Sequence, residues 1–168
     1  MTTSASRATA VDGLAALARH VRQSTLELLH VPHASWLTWT PRGTSNHLSW
    51  HAGHALWLQD ALTIRPLIGH SELPAAWERT FGQNSRPELV SEWPAETEVR
   101  ALLENQLGRI LDLLNDHAAK IASDLTGTPR GGGWPLLDGM IHGWHDEARH
   151  QGEMYLLHKL MRASTSTS

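Results

Sequence analysis

The chain has 168 residues with no cysteine, twelve histidines, eight tryptophans and a formal net charge of −3. A chain of this length suits one domain with a real core. The lack of cysteine removes disulfides, a thiolate metal site and a protein thiol nucleophile, and so small a charge gives no pull towards nucleic acid or an anionic membrane. No apolar run approaches the roughly 20 residues that span a bilayer, and the opening MTTSASRATA lacks the apolar core of a signal peptide, so a cytoplasmic protein is expected.

The first ten residues are small and polar and are expected to fray. Val11, Leu14, Leu17, Ala18, Val21 and Leu28 recur at threes, fours and sevens, which predicts an amphipathic helix from Ala8 to His30, ended by Val31-Pro32. Trp36 and Trp39 sit in a connector closed by Pro41-Arg42-Gly43, where they cap the end of the core or wall a pocket. Thr44, Ser45 and Asn46 are good N-cap residues, so a second helix is expected from there to Ile68, with Pro66 in its last turn and Gly69 as its stop. His47, His51 and His54 lie within about 60° of one another on its helical wheel. Turning such rings inward costs free energy unless each is hydrogen-bonded or metal-bound.

His70 to Pro94 is irregular, with four breaking residues (Pro74, Gly82, Pro87, Pro94) and the apolar anchors Trp77, Phe81 and Trp93. A connection this long suits a crossover between the ends of a bundle, and could cover a site mouth. Glu96 and Glu98 open a third helix after Ala95, in the sense the helix dipole favours. Its core stripe is Val99, Leu102, Leu103, Leu107, Ile110, Leu114 and Ile121, with His117 at the surface near its end. Gly127 and Gly131–Gly133 punctuate the next connection, but no Gly-Lys-Ser/Thr follows and no strand precedes, so a phosphate loop is not supported. Pro135 is placed for the first turn of a fourth helix. Residues 163–168 read as a disordered tail. Without strand alternation or an internal repeat, four long helices give an all-α four-helix bundle, one domain over residues 1–162.

Chemistry concentrates in the fourth helix, in Met140 to Met161 (MIHGWHDEARHQGEMYLLHKLM). His142, Asp146 and His150 step round by about 40° each and form a ladder on one face, flanked by Glu147 and Glu153. Asp146 and His150, four residues apart, can reach one ion from adjacent turns. The histidines of the second helix are the source of a further ligand, across a bundle core of the kind that houses metal sites. One helical histidine is more often a packing group than a ligand, but two clusters argue for a site.

With its residues laid out this way, the chain resembles the DinB family of four-helix-bundle metalloproteins. The resemblance covers most of the chain and is carried by WHAGHALWLQD in the second helix, HDEARHQGE in the fourth, and the long connection between helices 2 and 3. It implies a bundle with up-down-down-up order, often dimeric, with a divalent metal held by three side chains. One is a histidine of the second helix and two, four residues apart, come from the fourth. On the matching positions these are His54, Asp146 and His150. Asp60, six residues after His54, fits the family pattern, and His51 is the alternative. The family commonly has histidine at the first position of the fourth-helix pair and its mycothiol-dependent branch has glutamate. Asp146 departs from both, which makes Glu147 the alternative carboxylate.

Family members with an established reaction look like metal-dependent transferases or isomerases that use a small thiol such as mycothiol or bacillithiol. The resemblance thus implies a divalent-metal-binding protein that acts as a thiol transferase on a small molecule, with His51 or Glu147 as proton acceptor. Nitrogen and oxygen ligands without sulfur point to zinc or nickel. A homodimer is expected, with no nucleic-acid or membrane partner. The alternatives are a hydrolase on the same metal and a non-enzymatic, stress-related metal- or ligand-binding protein.

Overall fold

The computed structural model describes residues 4–123 and 135–165. Gly127, the Gly131–Gly133 triplet and residues 166–168 of the expected tail lie outside the described residues. Among the described residues seven α-helices are formed: α1 (Ser4–Leu28), α2 (Leu48–Gln59), α3 (Arg65–Ile68), α4 (Ala75–Phe81), α5 (Glu96–Asp116), α6 (Ala118–Ser123) and α7 (Leu136–Thr165). No strand occurs among the described residues, and no described helix is long and apolar enough to cross a membrane.

Helix α1 begins four residues before the expected Ala8, where Ala5, Arg7 and Ala8 are strong helix formers. At the other end of the chain, α7 runs through the first three residues of the expected tail. The start of α2 also differs from expectation. Thr44 turns its hydroxyl onto the Asn46 amide, a local bond that competes with capping, and the cap is His47, whose Nδ1 accepts the Trp50 amide at 3.2 Å. His47, itself buried, therefore stands at the mouth of the helix as its cap.

Helices α2 and α3 form one rod with a π turn, Asp60–Ile64, between them. The Arg65 amide reaches five residues back to the Asp60 carbonyl. Pro66 has no amide to give, and its ring crowds the carbonyl four residues earlier, so the widened turn sits where the proline needs it. The rod ends at Gly69, whose φ of 88° is left-handed and whose amide closes on the Arg65 carbonyl at 2.8 Å.

Cross-helix pairs fix the topology. Arg22 with Glu147 and Leu28 with His158 run in the same sense, so α1 and α7 are parallel. His51 with His150 and Gln59 with Gly143 run in opposite senses, so α2 and α7 are antiparallel. Two core clusters complete the order. Near one end Leu26 of α1 and Leu29 just after it meet Leu48 and Leu56 of α2, Val99 and Leu103 of α5, and Met154 and Leu157 of α7. Near the other, Val11, Leu14 and Ala18 meet Ile64, Leu67, Ile110, Leu114, Met140 and Trp144. Helices α2 and α5 are thus parallel to each other and antiparallel to α1 and α7, giving a four-helix bundle with up-down-down-up order.

The third long helix breaks at His117, and Ile121, expected on the same stripe, is buried from the short α6 instead. The crossover from Gly69 to Ala95 carries α4 and a single 3-10 turn, Pro87–Leu89. Its expected anchors pin it to α2: the Trp77 indole donates to the Gly53 carbonyl at 3.0 Å, Phe81 is fully buried, and Trp93 meets the His47 ring edge-on. From α2, Trp50 donates back to Ser85 at 2.9 Å. Asp60 accepts the Glu72 amide at 2.9 Å, so the acidic residue six positions after His54 anchors the start of the crossover.

Candidate metal centre

The antiparallel packing of α2 on α7 brings His54, Asp146 and His150 together, each offering a ligand atom within 4.8 Å of the other two. Asp146 Oδ2 lies 3.2 Å from His150 Nε2 and 3.5 Å from His54 Nε2. Trp50 stacks on the His54 ring at 4.9 Å between centroids and meets His150 edge-on, which holds both imidazoles in place.

The tautomer of His54 follows from its other nitrogen. Nδ1 sits 2.6 Å from the Phe81 carbonyl, which can only accept, so Nδ1 carries the proton. In the neutral ring the Nε2 lone pair then faces a carboxylate oxygen. Two acceptors at such a distance repel unless a cation lies between them, whether a proton on the ring or a metal ion. Hydrogen bonds from His150 and His54 in their protonated forms hold Asp146 well below the usual carboxylate range. The only guanidinium beside it among the described residues, that of Arg149, is exposed and 3.5 Å away. The donor set, two imidazoles and one carboxylate with the far nitrogen of His54 tied back by hydrogen bonding, fits a divalent ion.

A cleft of about 260 Å³ opens over this group, lined by Trp50, Trp57, Leu58, Gln83 and His142 together with the three candidate ligands. Gln83 follows the end of α4, so the crossover supplies part of the rim. His142 stands one turn before Asp146 on α7.

The other sequence candidates are placed differently. His51 is 1% exposed and lies behind His150, with Nδ1 to Nδ1 2.8 Å apart, and does not line the cleft. Burial, with the charges of His150 and His54 adding to it, pushes its pKa down to about 3, so the ring is neutral. Glu147, expected as a proton acceptor or alternative ligand, turns to a different face of α7. There it accepts two bonds from Arg22, at 3.0 and 3.1 Å, and one from Thr25 at 2.7 Å. One residue is about 100° on a helix, enough to swing it from the cleft to the bundle axis.

Gln83, the Phe81 carbonyl and the cleft role of His142 were not singled out in the sequence, where Phe81 is expected only as an apolar anchor. His142 belongs to the ladder of α7, which is a signal, whereas nothing local marks Phe81, which acts through its backbone. His158 shows the packing alternative: it is buried, bonds the Leu28 carbonyl at 2.7 Å and meets Trp36, far from the ligand group.

No curated protein matches the chain. Residues 17–154, most of its length, match the family model of the DinB superfamily. With a helical bundle of the expected order and histidine-rich groups able to hold a metal between α2 and α7, this chain belongs to the DinB superfamily.

Proposed function

We propose that this protein is a metal-dependent transferase that joins a low-molecular-weight thiol to a small molecule bound in the cleft. The observation that carries the reading is the convergence of His54 Nε2, His150 Nε2 and Asp146 Oδ2 on the floor of an open cleft. Three protein ligands leave coordination positions free, whereas a purely structural site is closed by four. A divalent ion held by His54, Asp146 and His150, zinc or nickel on this donor set, supplies when bound a Lewis acid that keeps a thiol as thiolate.

The chain's own residues supply the rest. With no cysteine, it takes its thiol from a co-substrate. Trp50, Trp57 and Leu58 give apolar walls that hold a ligand and limit water, and Gln83 offers a donor and an acceptor at the rim. We assign proton transfer to His142, which lines the cleft, in place of His51 and Glu147, which do not. Exposed Ile141, Tyr155, Leu156 and Leu160 on α7 support the homodimer.

Elemental analysis of the purified protein, followed by a thiol-conjugation screen, tests this reading. The expected result is about one divalent ion per chain and thiol consumption that stops on chelation. Protein that takes up no metal under mildly alkaline conditions overturns it. Metal-dependent turnover without a thiol replaces the transferase with a hydrolase.

A further inference from the structure

Two carboxylates are buried among the described residues, Glu147 and Asp60. Glu147 has the Arg22 guanidinium against it, whereas Asp60, 4% exposed, makes no ion pair among the described residues. Its Oδ1 accepts the Glu72 amide at 2.9 Å, and its Oδ2 has no partner there. The unpartnered side-chain atoms sealed in the described core are His47 Nε2, Gln59 Nε2 and Trp144 Nε1. Asp60 Oδ2 is not one of them, so it opens onto space. That space is a hollow of about 230 Å³ between α2 with its π turn, the start of the crossover and α5. It shares no lining residue with the cleft over His54, Asp146 and His150.

The walls of the hollow are apolar, formed by Leu56, Ile64, Leu73 and Leu102. Glu72 and Arg109 also line it, but they are partly exposed and already joined to each other at 3.0 Å. The charge left facing the hollow is that of Asp60. An anion would be repelled by it, and a neutral apolar molecule would strip it of water and give no bond in return. A cation on an apolar body satisfies both the carboxylate and the walls. At about 30 Å³ per water, the volume holds on the order of seven or eight non-hydrogen atoms. We infer that the hollow between α2, the crossover and α5 binds a small organic cation, a primary ammonium or guanidinium on a short apolar body, through Asp60 Oδ2. Anchoring the crossover does not call for this charge, because the Glu72 amide needs one acceptor and an amide oxygen would serve. The second oxygen is the part that anchoring leaves over. With no residue in common between hollow and cleft, the site is independent of the metal chemistry proposed above.

The test is amide nitrogen–proton correlation spectroscopy on the ¹⁵N-labelled full chain at constant ionic strength. The probes are the chlorides of n-butylammonium, benzylammonium and n-butylguanidinium, with n-butanol as the neutral match. At least one cation should give saturable shifts centred on Asp60, Glu72 and Asn105, and n-butanol should bind roughly 10- to 100-fold more weakly, the worth of a hydrogen bond to a charged group. Asp60→Asn keeps an acceptor for the Glu72 amide and removes the charge. Cation affinity should fall in it by the same factor, to the level of n-butanol, while zinc affinity stays unchanged. Should Asp60→Asn fail to fold, Leu102→Phe, at a partly buried position of α5, fills the hollow and should block the cation with Asp60 intact. Cation affinity that is unchanged in Asp60→Asn, or in Leu102→Phe where that is the variant that folds, overturns the inference. So does n-butanol binding as tightly as n-butylammonium, which would leave an apolar hollow only, or no saturation with any of the cations at tens of millimolar. Shifts centred on Trp50 and Trp57 would put the cation in the other cleft and overturn it as well.

Discussion

Asp146 and Glu147 are consecutive carboxylates on α7, and they face different sides of it into environments that differ in one respect. Glu147 meets a cation of the chain's own. The Arg22 guanidinium, as fully buried as its partner, gives it two bonds and spends two further donors on the Leu103 carbonyl and Gln106. Gln106 passes a bond on to the Leu56 carbonyl, and Thr25 and Gln151 close the network from the sides. Asp146 meets two imidazoles and a cleft, and the only guanidinium near it among the described residues is exposed. A buried carboxylate needs its charge met. Where the chain supplies the cation the result is structure, and where it supplies two imidazoles beside a cleft the result is a group that could hold an ion. The difference lies in the partner and not in the carboxylate.

Among substitutions, the largest expected effect breaks the closed side. Glu147→Gln leaves the Arg22 guanidinium buried without its counter-charge, and removing one member of a buried pair costs about 3–5 kcal/mol. Denaturant unfolding should show that loss, while the folded fraction still binds zinc. Replacing both partners with apolar residues of similar volume, Arg22→Met with Glu147→Leu, should recover much of the stability. A Glu147→Gln protein that keeps its stability but loses the ion would put the site on the wrong face of α7.

The mirror experiment is Asp146→Asn, which keeps the shape and removes the anion. Here the loss should appear in binding. As a candidate ligand Asp146 should cost more than the ~10- to 100-fold drop that follows loss of an outer-shell partner, with a small change in the unfolding midpoint. Titration calorimetry on both variants gives the ratio directly. If Glu147→Gln weakened zinc binding more than Asp146→Asn, the contrast between the two faces would invert.

Much of this contrast is hidden in the sequence for a definite reason. The spacing of Asp146 and His150 is local, so helix periodicity places both on one face, and the same periodicity shows the four long helices. The partner of Glu147 lies 125 residues away. Arg22 follows Val21 on α1 like any exposed helix residue, and no local pattern says that it is buried. The exchange of His47 from ligand-bearing face to helix cap arises in the same way, from competition among Thr44, Ser45, Asn46 and His47 for one role. The π turn before Pro66 and the short α4 depend on how the crossover packs on α2, which periodicity does not encode. Phe81 contributes its carbonyl, and any residue has one.

A smaller effect should come from the crossover side of the open face. A Cβ at Gly53 would run into the Phe81 ring, which is buried and packed against Trp77 at 4.5 Å between centroids and so has little room to yield. Gly53→Ala should therefore cost about 1–3 kcal/mol by overpacking. It should also weaken zinc binding, because moving Phe81 moves the carbonyl that holds His54 Nδ1. Gly108 is the control: a Cβ there would meet nothing within 4 Å, so Gly108→Ala should leave the ion in place and stabilise α5 by roughly 0.5–1 kcal/mol. Equal zinc affinity in both variants would detach the crossover from the site.

Acid needs no substitution, and it should act on the histidine side of the molecule. Burial lowers the pKa of His51 from 6.5 to about 3 and that of His47 from 6.5 to about 4, the latter partly offset by a backbone hydrogen bond with Leu37. In each case the unfolded chain binds the proton more readily than the folded one, so folding is fully favoured above pH 6.5 and loses ground as the pH falls. Each histidine should contribute a slope of about 1.4 kcal/mol per pH unit. From pH 6.5 to about 4 both act, and below that His51 is joined by Asp146, whose carboxyl is held low in the folded chain and therefore protonates first in the unfolded one. Urea unfolding of metal-free protein at stepped pH measures the slope. His51→Phe should roughly halve it between pH 6.5 and 4, whereas the double variant that removes Arg22 and Glu147 should leave it unchanged. A slope that follows the double variant instead would mean that acid enters through the closed pair, and the two faces of α7 would have exchanged roles.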